Sequence, residues 1–362
     1  MEVIGIICEY NPFHNGHLFH INKIKEMYPE SIIVLVLSGY FTERADVSIL
    51  SKYDKVSVAL TYGVDLVIEL PTLYTLNSAD YFADASIKLL NYAHVNKIVF
   101  GSECDDISLL KKIALDEINN TNVEMIKTYL KEGYNYPTSL SKTYDAHLMP
   151  NDILGLSYVK AILKNHYDIE PITIKRTNDY KDIHSNEEII SADNIRNKIK
   201  DNIDVSKYIP KYDETFKYVQ YDKLFTLLKF KIITESDLSI YLGVDEGLEN
   251  KIKKEIVDAS NLEELILKLK SKRYTYVRIK RMLIHILLGI KKTDMNESID
   301  FARVLGFTEA GKRYLKELNS EKLVFKYDTR VREIELQTSY IYDELTHDLS
   351  IEKEILNKPI IK

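Results

Sequence analysis

Apolar positions in the first two hundred residues follow two alternating rhythms. Short apolar runs of strand length occur at Val3–Cys8, Ile32–Leu37, Leu66–Ile68, Lys97–Phe100 and Pro171–Lys175. Between them, Leu18–Met27, Ser51–Tyr62 and Asp80–Ala93 repeat apolar residues at helical spacing. Strands alternating with helices predict βαβ units, and hence an α/β fold with a Rossmann-like parallel sheet. Ligands of such sheets sit at the carboxyl ends of the strands. The loops Glu9–His17, Ser38–Asp46, Glu69–Thr72 and Gly101–Glu103 all fall there, which predicts a single site.

From about Asp201 the rhythm changes. Strand-length runs thin out, and helical periods such as Leu262–Leu269, Val277–Ile290 and Val331–Leu345 take over. The reading is a catalytic α/β domain over residues 1–205 and an all-helical domain over 206–362.

Composition narrows the setting. A chain of 362 residues with 45% hydrophobic and 29% charged residues is long enough for two globular domains. The net charge of -6 means that any nucleic-acid site is a local patch. Cys8 and Cys104 are the only cysteines, which fits a reducing, cytoplasmic setting. The start Met1-Glu-Val-Ile-Gly5 has no basic leader, and no apolar stretch approaches the ~20 residues of a membrane span. No membrane or protein partner is implied.

The most specific feature is Glu9-Tyr-Asn-Pro-Phe-His-Asn-Gly-His17, set where the first strand hands over to a helix. Helix-terminal N–H groups and the positive dipole end favour an anion at such a junction. His14 and His17 add donors where charge grows during phosphoryl or adenylyl transfer. Gly16 admits close backbone approach. No Cys or Asp set completes a zinc site around these histidines. His20, three residues on, reads by itself as a packing or surface residue. Ser191-Ala-Asp-Asn-Ile-Arg196 is a second phosphate-binding pattern, although alone it is an ordinary helix start.

Residues 265–293 carry nine Lys and Arg and no acid, interleaved with Tyr274 and Tyr276. Ile279, Met282, Leu283, Ile286 and Ile290 form a buried stripe, which leaves Arg278 and Arg281 on a more exposed face. A charge run is most often a solvated face, but an acid-free stretch in an acidic chain reads as a phosphate-backbone footprint. Its tyrosines would stack on unpaired bases.

Taken together, these segments resemble the bacterial tRNA(Met) cytidine acetate ligases of the HxGH nucleotidyltransferase superfamily. The resemblance rests on Glu9–His17, Ser38–Arg44, Gly63–Pro71, Gly101–Glu103, Pro150–Gly155, Ile174–Arg176, the downstream Ser191–Arg196 and Lys272–Arg281. It implies an enzyme that forms acetyl-adenylate from acetate and ATP. The enzyme then acetylates N4 of the wobble cytidine of elongator tRNA(Met), with magnesium accompanying ATP. On this resemblance His14 and His17 are catalytic. ATP is held by Ile7, Cys8, Glu9, Tyr10, Asn11, Pro12, Phe13, His14, Asn15, Gly16, His17, Leu18, Phe19, His20, Gly101, Asn151, Asp152 and Arg176. The tRNA is held by Lys272, Arg273, Tyr274, Arg278 and Arg281.

The chain departs from the family pattern at several positions. Asp152 stands where an asparagine is usual, so an adenosine-contacting amide becomes a carboxylate that accepts but cannot donate. Asp193 replaces a serine and is not expected to be a phosphate ligand. Two other readings compete. One is a small-molecule adenylyltransferase of the same superfamily, which would have no use for the basic stretch. The other is an RNA-binding protein with a decayed nucleotide site.

Overall fold

Alternation along the strands decides which face of the sheet each apolar side chain covers. The computed structural model describes residues 1–176, 188–245, 247–271 and 274–362. Its strands are β1 (Val3–Cys8), β2 (Ile32–Ser38), β3 (Leu66–Leu70), β4 (Lys97–Ser102), β5 (Glu170–Lys175), β6 (Ala302–Phe307), β7 (Leu323–Val324) and β8 (Ile360–Ile361). Ile4, Ile6, Ile33 and Leu35 join a core under the helices Asn15–Met27 and Lys52–Thr61. The intervening Val3, Val34 and Val36 join the core on the other face, under Ala79–Tyr92 and Pro150–Lys164. This period of two is why a one-residue register slip would send each core's side chains to the opposite face.

The sheet order is β5-β4-β1-β2-β3-β6-β7, with β8 beside β6. The five strands from β5 to β3 are all parallel. Strand order reverses between β1 and β4, and open α/β sheets leave a ligand crevice at that point. The loop Glu9–His14 leaves β1 at this crevice, and Gly101 lies in β4 beside it.

The C-terminal part is not all-helical. The helices Tyr221–Thr234, Leu248–Asp258, Leu262–Leu269 and Tyr276–Leu288 fit the expectation, but the chain then returns to the sheet. β6 pairs antiparallel with β3, and β7 and β8 pair parallel with β6. The run Ala302–Phe307 hides from a pattern reading because Arg303 interrupts it. In the fold Arg303 is 3% exposed, and its guanidinium is satisfied by Glu69 on the neighbouring strand and by Glu354. Partners brought in by tertiary structure override the local polarity of the strand.

Arg303 belongs to a larger buried cluster beneath the loop that follows β2. Lys52, the first residue of its helix, stands 2.5 Å from Glu69, 2.7 Å from Glu354 and 3.2 Å from Glu335. Arg332 pairs with Glu354. Three cations thus face three carboxylates, and each of the six is at most 5% exposed. Glu335 also accepts from the Thr72 N–H at 2.5 Å. The cluster joins the helices Arg330–Thr346 and Ser350–Leu356 to β3 and to the start of the helix Lys52–Thr61. Among the described residues, no helix is long and apolar enough to cross a membrane.

Candidate functional site

The chain leaves β1 at Cys8 and enters the helix Asn15–Met27 through its N-cap, His14, in extended backbone. The His14 Nδ1 accepts from the Gly16 N–H at 3.0 Å, and the His17 Nδ1 accepts from the His14 N–H at 3.2 Å. Backbone N–H groups only donate, so each Nδ1 is an acceptor and each neutral ring carries its proton on Nε2. Among the described residues nothing accepts from either Nε2. The two rings lie 3.9 Å apart, centroid to centroid. Gly16 is required by the cap itself, because a Cβ there would stand 2.8 Å from His14 Cε1.

All three histidines of the segment stay neutral. Burial, reinforced by Arg176 and Arg196, pulls His14 down to about 3. Burial and the neighbouring imidazoles hold His17 well below its ordinary value. Burial and Arg176 bring His20 to about 4. The helix start therefore presents two neutral N–H donors beside permanent cations.

These groups open onto a cavity of about 580 Å³, large enough for a nucleotide. Ile7, Cys8, Glu9, Tyr10, Asn11, His14, Gly16, His17, Phe19, His20, Gly101, Asn151 and Arg176 line it. His20 thus joins the wall and is not a surface residue. Four members of the expected ATP segment do not line it. Pro12 is buried, Phe13 stacks on Tyr62 at 5.5 Å, and Leu18 packs against the core. The Asn15 side chain donates to the carbonyls of Glu188 and Lys207 at 3.0 and 2.9 Å, tying the loop to the downstream chain. Ser191, Asp193 and Arg196 do line the cavity. Arg196 donates to the Asn11 carbonyl at 2.6 Å and pairs with Asp193.

Asp152 is a correction. It is fully buried and does not line the cavity. Its carboxylate accepts from the Ser102 hydroxyl at 2.6 Å and from the N–H groups of Glu103, Met149 and Cys104 at 2.9, 2.9 and 3.1 Å. Four donors converge on it, so it anchors the end of β4 to the helix Pro150–Lys164. Beside it, the Asn151 amide donates to Glu103 at 2.5 Å. Arg176 stands 3.7 Å from the same carboxylate, and its buried Nε has no hydrogen-bond partner among the described residues. A Cβ on Gly101 would lie 3.2 Å from the Arg176 side chain.

The opposite rim is Thr42, Glu43, Arg44 and Asp46, together with the ring-bearing wall of Phe82, Phe100 and Tyr158. Pattern reading placed the whole loop Ser38–Asp46 at the site and missed the aromatic wall. This rim hangs from the helix Tyr276–Leu288. Arg281 grips Glu43 through its carboxylate at 2.5 Å and its carbonyl at 3.0 Å, and Lys280 pairs with Asp46. Arg281, at 15% side-chain exposure, is therefore not on an open face, contrary to its helical position. Tyr274 is also buried, with the Arg278 guanidinium over its ring at 4.7 Å, so it offers no face to a base. Arg278 is 46% exposed and loosely paired with Asp245. Lys272 and Arg273 lie outside the described residues, as does the segment 177–187.

Two buried groups join the walls. The Lys55 ammonium donates to the carbonyls of Ser38 at 2.7 Å, Glu9 at 3.0 Å and Gly39, and burial lowers it to about 7. The Glu9 carboxylate accepts from the Glu43 N–H at 2.6 Å, and burial raises it to about 7. No group of three or more metal ligands gathers among the described residues.

Comparison with known proteins agrees with this arrangement. A family model described as HIGH Nucleotidyl Transferase matches residues 1–356. The chain is 39% identical to the tRNA(Met) cytidine acetate ligase of Caldicellulosiruptor saccharolyticus, over 98% of this chain and 92% of that one. It is 35% identical to the protein of the same name from Staphylococcus aureus, over 100% and 99%. The crystal structure of Thermotoga maritima TmcAL in its apo form I superposes with a TM-score of 0.86 at 25% identity, over 100% and 99% of the chains. The same protein bound with alpha-thio ATP superposes with a TM-score of 0.85.

Proposed function

This chain belongs to the HIGH nucleotidyl transferase family, among the tRNA(Met) cytidine acetate ligases, and from that premise we propose that it activates acetate with ATP and acetylates elongator tRNA(Met). The observation that carries the proposal is the pair of tautomer-fixed histidines at the strand switch point, beside Arg176. An acetate oxygen attacks the α-phosphorus, and pyrophosphate leaves. The Nε2–H groups of His14 and His17 donate to phosphate oxygens as charge shifts onto them. Because the rings are neutral, they make this contact without binding or releasing a proton. Arg176 and Arg196 hold phosphate charge. Magnesium would accompany ATP, held chiefly through the phosphates with few protein ligands, and would neutralise charge on the departing pyrophosphate.

In the second step N4 of the wobble cytidine attacks the acetyl carbon of the mixed anhydride, and AMP leaves. Positioning dominates here, because the anhydride is already reactive. Residues 1–205 carry the adenylation, and the helices after residue 206 grip the tRNA, with Lys272, Arg273 and Arg278 on the phosphate backbone. The work belongs in the cytoplasm, where tRNA is found and where the two free cysteines stay reduced.

The test is to incubate the protein with labelled acetate, ATP and unmodified elongator tRNA(Met). Label should enter the RNA with ATP and not with acetyl-CoA alone. An absence of label, while an active relative succeeds in parallel, removes the ligase reading. His17→Ala should lose adenylate formation and keep tRNA binding.

A further inference from the structure

We propose that Glu9 is the general base of the acetyl-transfer step, taking the proton that the cytidine N4 releases as it attacks the acetyl-adenylate. The inference rests on the ligase reading above and adds a role for one residue.

The argument begins with position. Glu9 is the first residue past β1, on the cavity wall, two residues before the loop carbonyl that Arg196 binds. Its carboxylate accepts from the N–H of Glu43. Glu43 in turn hangs from Arg281 of the helix Tyr276–Leu288. Glu9 therefore sits on the seam between the phosphate donors and the rim suspended from the helical layer. A base presented by that layer must cross this rim to reach the anhydride.

Three carboxylates occur along the seam, and two are already neutralised. Glu43 is paired with Arg281, and Asp46 is paired with Lys280. Among the described residues Glu9 makes no side-chain salt bridge. Its nearest ammonium, that of Lys55, is spent on three backbone carbonyls. A carboxylate held by one backbone N–H and no direct cation keeps its basicity. Its surroundings act the same way. Burial, Glu43 and Asp46 raise Glu9, while the Glu43 N–H and Lys55 lower it, with a balance near 7. Cys8, Tyr158, Arg196 and Arg281 complete the groups within electrostatic reach.

The step balances without another reagent. The N4 lone pair forms the bond to the acetyl carbon. The bond from that carbon to the phosphate oxygen breaks, and its electron pair leaves with AMP. The N4 proton passes to the Glu9 carboxylate and then to water.

Glu9→Gln keeps an acceptor for the Glu43 N–H and removes only the basicity. In this variant, acetate-dependent exchange of label between pyrophosphate and ATP reads what Glu9 gives to the ATP site, and it should fall at least about tenfold less than transfer does. Single-turnover transfer from preformed acetyl-adenylate to tRNA should fall about 100-fold or more. Wild-type transfer should climb with pH through about 7 and level off above it, and the variant should lose that limb. Parallel loss of exchange and transfer would show that Glu9 serves binding or folding, and overturns the proposal. Retained transfer with an unchanged pH limb overturns it too. Failure of the wild type to label tRNA while it exchanges pyrophosphate is a separate result. It removes the tRNA reading itself, and this proposal with it.

Discussion

Replacing Lys52 with methionine removes one charge from the buried cluster and keeps the length of the side chain. The three carboxylates then face only Arg303 and Arg332. Glu69 and Glu354 keep an arginine partner, whereas Glu335 keeps only the Thr72 N–H. Burial already pushes Glu335 above its ordinary range. Without Lys52 it folds protonated. Keeping a carboxyl with an ordinary value of about 4.3 protonated at pH 7 costs roughly 1.4 kcal/mol per unit, or about 3.7 kcal/mol, and this is the most that the substitution adds, because the wild type already bears part of it. That agrees with the ~3–5 kcal/mol for breaking a buried ion pair by removing one partner. At pH 5 the same proton costs only about 1 kcal/mol. A carboxyl raised in the folded state contributes stability at low pH that is lost as pH rises, so the defect should grow from pH 5 to pH 7.

Thermal unfolding of the wild type and Lys52→Met, in parallel at the two pH values, measures this. At about 2.1 cal/mol/K per residue, 362 residues give an unfolding entropy of roughly 0.76 kcal/mol/K. The variant should then melt up to about 5 °C lower at pH 7 and no more than about 1 °C lower at pH 5. Equal losses at both values would refute the assignment of Lys52 as the charge that compensates Glu335. A loss under about 1 °C at pH 7 would refute it as well.

Two further predictions concern the site. Because His14 falls to about 3 and His20 to about 4, with His17 also lowered, nitrogen NMR of the ligand-free protein should show these three rings staying neutral from pH 8 to pH 5. The resonances of His14 and His17 should report the Nε2–H tautomer, and a midpoint near the ordinary imidazole value would contradict the capping geometry. For tRNA binding, Arg278→Ala should reduce the salt slope by about 1, whereas Arg281→Ala should leave the slope unchanged and slow acetylation by loosening the Glu43 rim. A slope change in Arg281→Ala would mean that its contact with Glu43 gives way to phosphate.

What the sequence could reveal depended on how local each cause is. The central strands β1 and β2 were legible because each is a near-continuous apolar run, buried on both faces. The glycine between His14 and His17 was legible as a special position, although its use, clearing space for the His14 ring, required the cap geometry. Nothing local signalled β6, because the partners that make Arg303 tolerable lie 234 and 51 positions away. Arg281 failed in the opposite sense. Helical periodicity says only that a residue faces away from its own helix's core stripe, and a distant loop then covered it. The basic stretch was acid-free in sequence but not in space, since Asp46, Glu43 and Asp245 supply the missing carboxylates.

The same reasoning decides between an active site and a decayed one. The two family departures nearest the nucleotide put carboxylates where neutral side chains are usual, and a carboxylate beside phosphate is costly. At Asp152 the cost does not arise, because the group is turned out of the cavity onto three N–H groups and a hydroxyl. An asparagine there would put an NH2 against at least one of those donors, so the acid suits this position better than the amide it replaces. At Asp193 the charge is matched by Arg196 within the same helical turn. A site drifting free of selection would accumulate polar changes without partners. Here both changes come with a complement, and among the described residues the histidine Nε2–H donors, which meet no acceptor, and the Arg176 Nε, which makes no hydrogen bond, are groups that a nucleotide would use.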